Sequence, residues 1–134
     1  MDQKLRSALI ARLEAEENPI VPIADFFNGN TDPASIGCNL LEPPGIDVFR
    51  RILVGLEKRE DVEAVYAQIA EIDPGPKYWP FTDTVWVVGS MSQEELAAIL
   101  LPLGPDDVSP GDLMGAPPEF LWQHSNKVLG AWWD

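Results

Sequence analysis

The residues that could do chemistry gather first in the stretch ADFFNGNTDPASIGCNL, residues 24–40, where Asp25, Asn28, Asn30 and Asp32 are spaced so that several oxygens could turn toward one point. Read as a calcium loop, Asn28, Asn30 and Asp32 would fill the first, third and fifth positions. The sixth is then Pro33, where the sharp turn needs glycine, and the twelfth is Asn39 instead of a bidentate glutamate. An Asn-Gly turn followed by an Asp-Pro turn, with Asx side chains bonding their own backbone, accounts for the same residues without a ligand. Cys38 and His124 are each single in the chain, so a cysteine–histidine nucleophile pair requires the fold to bring them together. A lone thiol within SIGCNLL otherwise reads as a small buried hydrophobe. Asp106, Asp107 and Asp112 could hold a divalent cation, or serve as turn and capping residues. The chain contains no HExxH, GxGxxG, P-loop or GxSxG pattern. No cofactor and no metal is expected, and the sequence reads as non-enzymatic.

Charge is more informative than any motif. The net charge is −13, and it is unevenly placed: residues 1–59 carry seven basic and nine acidic side chains, residues 60–134 only Lys77 and Lys127 against thirteen carboxylates. A field of that sign repels phosphate backbones and anionic lipid and speeds encounter with a basic partner. Neither nucleic acid nor a membrane is therefore expected as a partner, whereas a basic protein is. Aromatic anchors would complement the charges, because tryptophan and tyrosine concentrate in interface hot spots. Trp79 lies in PKYWPFTDT just before an apolar run, and Phe120 and Trp122 follow Glu119 in EFLWQ. The expected partner-binding set is Trp79, Asp106, Asp107, Asp112, Glu119, Phe120 and Trp122.

The elements that must position these residues follow from periodicity. Residues 3–17 read as a helix, with Leu5, Leu9 and Leu13 four apart and Asn18-Pro19 ending it. IVPIADFF carries two prolines and suits an edge strand or an extended buried segment. Pro43-Pro44-Gly45 precedes a second amphipathic helix on Ile46, Phe49, Ile52, Leu53 and Leu56. DVEAVYAQIAEID fits either period; a strand is favoured because TDTVWVVGS, β-branched and apolar, needs a partner to pair with. Ser92 and Glu95 form a capping box for a third helix, with Met91 and Leu96 as its staple. The stretch 102–118, with five prolines and three glycines, reads as a long loop, and KVLGAWWD as a last strand.

With 134 residues, 46% hydrophobic and five tryptophans, the chain should form one domain over 1–134 with a real core. The expected fold is α+β: a small, mostly antiparallel sheet from about 62–72, 83–90 and 126–133, with a further strand near 35–41, covered by three helices. A mainly helical domain is the alternative if 61–72 is helix. No apolar run of 18 residues and no signal-peptide core is seen, and one cysteine excludes an internal disulfide, so a reducing cytoplasm is expected. Nothing fixes an oligomeric state. The function expected is a cytoplasmic protein-binding module, such as an acidic immunity-type inhibitor that masks a basic partner. The alternative is a small enzyme or ligand-binding protein with a site between 25–39, 78–83 and 104–124, which requires Asp25, Cys38, Asp83 and His124 to share one cleft.

Overall fold

Asp2 starts the first helix: its carboxylate accepts from the backbone N–H groups of Lys4 and Leu5 at 3.0 and 3.1 Å, meeting donors that have no partner inside the helix. The computed structural model describes residues 1–134 and places α1 at Gln3–Glu14, three residues shorter than the periodicity suggests. α1 buries Leu9 and Leu13, and also Arg6, which is only 7% exposed. The Arg6 guanidinium donates to the carbonyls of Gly75 and Tyr78 (both 2.6 Å) and to Asp73 Oδ1 (2.7 Å), so a buried charge is met by three acceptors. After a three-residue strand, β1 (Ile20–Pro22), the chain enters a five-residue helix, α2 (Ile23–Phe27), that buries Ile23, Phe26 and Phe27.

α3 (Ile46–Gly55) and the 3-10 turn Leu56–Lys58 bury Phe49, Leu53 and Leu56. α4 (Gln93–Leu100) begins at Ser92, whose Oγ accepts from the Glu95 N–H at 3.2 Å. The return half of the box is absent, because the Glu95 carboxylate instead accepts from Arg59 at 2.9 Å. No helix is long and apolar enough to cross a membrane.

The ambiguous segment is a strand, β2 (Val62–Glu71), paired antiparallel with β3 (Phe81–Gly89) along its length. β5 (Val128–Trp132) pairs with β3, β4 (Asp107–Pro110) with β5, and β1 with β2. The result is a five-stranded antiparallel sheet in the order β1-β2-β3-β5-β4, and the fold is α+β as expected. The strand expected at 35–41 is not there. Asp32-Pro33 start a 3-10 turn at Pro33–Ser35, Ile36 makes one parallel bridge to Thr82, and Gly37 (φ 62°) turns the chain away beneath the Phe49 ring. The stretch 102–118 is likewise no open loop. It contains β4, a 3-10 turn at Gly111–Met114, and the start of α5 (Pro118–Gln123).

Alternation along the strands divides the side chains between two faces. Val21, Val65, Ala67, Ile69, Val85, Val87 and Ala131 join the main core with residues of α1 to α4, Trp79 and Trp133. The other face carries Ala64, Tyr66, Trp86, Val88 and Val128, packed against Ala116, Phe120, Met114 and Leu121 of the 111–123 segment. Four helices thus serve the first face, while the second is covered by one irregular segment.

Candidate functional site

On the second face the register sets two rows of side chains. Ser109, Gly130, Trp86 and Tyr66 lie side by side in one; Asp107, Trp132, Thr84, Gln68 and Ile20 form the next. Gly130 is required there, since a Cβ would stand 2.5 Å from the Trp86 ring and 2.7 Å from the Met114 sulfur. Trp86 therefore lies across β5, and its Nε1 donates to Gln68 Oε1 at 2.8 Å.

α5 sits on this floor through Phe120. Its ring is edge-on to Tyr66, with centroids 5.3 Å apart, and 6.4 Å from Trp86. Pro118 occupies a first-turn position that tolerates a missing N–H, with Glu119 beside it. The helix ends where the Asn126 N–H donates to the Leu121 carbonyl at 2.8 Å, with Ser125 and Asn126 both left-handed (φ 54° and 58°). That turn leaves His124 over the cluster, 4.6 Å from Phe120 and 5.6 Å from Tyr66 between ring centroids.

Between α5 and the turn after α1 runs a groove. One part, about 360 Å³, has Ile20, Tyr66 and Phe120 as apolar lining, the exposed Glu16, Glu17, Asn18 and Glu119 at the rim, and Gln123 and His124 as the remaining lining. A second hollow shares Glu17, Asn18 and Glu119 and continues past Gln68 to Trp122. No lysine or arginine lines either part. Glu16 lies 3.9 Å from Arg12, but Glu17 and Glu119 take part in none of the chain's ion pairs. Trp122 is 72% exposed beside them. Glu17 and Glu119, lacking a cation of the chain beside them, focus a negative potential in this concave setting, and the exposed Trp122 offers a ring face on which a cation or an apolar side chain can rest.

Of the residues singled out from sequence, Glu119, Phe120 and Trp122 come together here. Asp107 shares the Trp132 row at the far edge, where its carboxylate accepts from Ser109 Oγ at 2.7 Å; Asp112 is exposed on the covering 3-10 turn. The Asp106 carboxylate is taken by the Asp134 N–H at 2.7 Å. Trp79 is a correction. It is 1% exposed within the main core, its backbone N–H donating to Asp32 Oδ2 at 2.9 Å, so its ring fills space under a loop and presents nothing to a partner.

The loop that opens the chemical question has the turn chemistry expected of it: Asn30 Oδ1 accepts from the Asp32 N–H and Asp32 Oδ1 from the Ala34 N–H, both at 2.9 Å. Cys38 is exposed, contrary to the expectation of a buried thiol. His124 lines the groove without Asp25, Cys38 or Asp83, and Asp25 lines a different hollow beside Asn28 and Arg50. Titrations are displaced elsewhere, at Glu57, Arg59 and Asp61. Burial, reinforced by Asp25, raises the Glu57 carboxyl, and the hydrogen bond from Arg59 lowers Asp61.

Sequence reasoning missed Glu16, Glu17 and Tyr66. Their segments are adjacent only through the β1–β2 pairing, and the usable signal was the Glu-Glu-Asn-Pro turn abutting an edge strand.

No solved structure matches the chain significantly. Over 120 residues it is 26% identical to "Uncharacterized protein YfbO" of Escherichia coli (strain K12), an alignment covering 87% of this chain and 83% of that protein. A family model matches residues 3–125, a span that includes every groove residue named above, and the chain belongs to the Uncharacterized protein YfbO family.

Proposed function

We propose that this chain is a non-enzymatic, cytoplasmic protein-binding module that receives a basic partner on the second face of its sheet, as an immunity-type inhibitor would mask the basic surface of a toxin. The observation that carries the reading is the groove: Glu17 and Glu119 line it without an ion-pair partner, beside Glu16 and the exposed Trp122. Asp107 and Asp112 extend the negative potential on the same side. A face is favoured over a sheet edge. β1 is three residues long, preceded by Pro19 and ending in Pro22, and on β4 the Val108 carbonyl already accepts from Gln93 Nε2 at 2.8 Å, so neither edge invites a further strand. The charges would steer encounter and the rings would supply most of the affinity.

The test is capture from a bacterial lysate on immobilised chain, in low and in high salt, beside a Glu17→Lys/Glu119→Lys double variant. A basic protein retained in low salt by the wild type, lost in high salt and lost by the variant is the expected result. Retention of the same proteins by both chains at both salts would refute it.

A further inference from the structure

We infer that the His124 end of the groove is a pocket for one arginine side chain of the partner. This rests on the reading of the groove as a partner surface, and it names what the pocket itself selects. Two features converge. The first is the ring cluster: Tyr66, Phe120 and His124, with centroids 4.6 to 5.6 Å apart, form one aromatic wall. The second is the pair Glu17 and Glu119, which line both hollows and have no ion-pair partner within the chain.

A guanidinium suits both features. It is planar and weakly hydrated, so it rests on an aromatic face at little desolvation cost, and its fork of N–H donors can serve two carboxylate groups at once. A purely apolar side chain would strand Glu17 and Glu119 away from water without a donor, and an anion would meet three carboxylates. A volume of about 360 Å³ accommodates an arginine side chain together with a few waters.

The chain's single histidine makes the pocket its own reporter, because its ring protons give one resolved set of resonances. The probe is acetyl-arginine amide, titrated in low salt against full-length protein; acetyl-citrulline amide, of the same shape without the charge, is the control. The arginine probe should shift the His124 and Tyr66 ring resonances saturably, and the citrulline probe should leave them in place. Glu17→Gln/Glu119→Gln should weaken the arginine probe about tenfold or more, since each change removes a charge-assisted hydrogen bond. Both carboxylates are exposed and unpaired, so folding is not at stake. Glu94→Gln, on the exposed side of α4, should change nothing.

Equal shifts from both probes, no saturable shift from arginine, or an undiminished response in the double Gln variant would each overturn the pocket. In any of those cases a salt-sensitive capture of a basic protein that still needs Trp122 would leave the proposed function standing. Loss of that capture with the arginine response intact would overturn the proposed function and keep the pocket.

Discussion

Phe120 and Trp122 lie two positions apart on α5, and truncating them should have opposite consequences. Phe120 is 7% exposed and belongs with Trp86, Val88, Ala116 and Val128 to a small buried cluster, its ring also against Tyr66 and His124. Removing a buried phenylalanine costs about 3–5 kcal/mol; the lower end is expected, because a six-residue helix can settle partway into the space. Trp122 is 72% exposed. If a tryptophan can bury about 250 Å², it buries roughly 70 Å² here, worth at most about 1.8 kcal/mol. Alanine's better helix propensity returns about 0.5 kcal/mol, leaving a net cost near 1 kcal/mol. In the complex the ranking inverts, since a desolvated tryptophan anchor is worth about 2 kcal/mol, or roughly 30-fold in dissociation rate. Urea unfolding by tryptophan fluorescence reads the first pair of values; surface plasmon resonance with the captured basic protein reads the second. A Trp122→Ala chain that unfolds with Phe120→Ala, or that releases its partner at the wild-type rate, would refute the reasoning.

Arg6→Ala should cost about 2–4 kcal/mol in urea unfolding, because the Gly75 and Tyr78 carbonyls lose a charged donor in a partly buried place. Gly130→Val should cost about 1–3 kcal/mol and change the near-ultraviolet dichroism, because the added carbons strike the Trp86 ring and Met114. Glu57 is raised by burial and by Asp25, so its contribution weakens the fold as pH climbs through its folded value and is relieved below 4.5. Glu57→Gln should therefore stabilise the protein at pH 7 and leave its stability at pH 4 nearly unchanged. Asp61, lowered by Arg59, has the opposite sign: its contribution is present above 3.8 and is lost as pH falls through its folded value, so Asp61→Asn should weaken the fold at pH 7.

The long periodic elements were legible because one physical pattern dominates each. α3 repeats its apolar residues at three and four, and β3 is an unbroken β-branched run. β2 fits either period over its own ten residues, and only the need of β3 for a pairing partner decided it. The failures share a cause. α5 and β4 are too short for a period to register, and α2 follows β1 within an apolar run whose prolines suit either state. Trp79 and Trp122 look alike in sequence, both among prolines or polar residues near an element boundary; the one carries 1% and the other 72% exposure because Trp79 lies beneath the loop tied down by Asp32. Half of the groove was visible, in EFLWQ. The other half, Glu16 and Glu17, reaches it through the pairing of Ile20 with Gln68, a contact across 48 residues that no local pattern announces.

Hydrogen exchange of the chain alone and in complex with the basic protein captured in low salt addresses the assignment of the second face most directly. Exchange should slow in the peptides covering 14–20 and 111–125, which form the two walls of the groove, while α3 and α4 on the first face keep their rates. Slowing confined to α3, α4 or the 24–40 loop, with 14–20 and 111–125 unchanged, would contradict it.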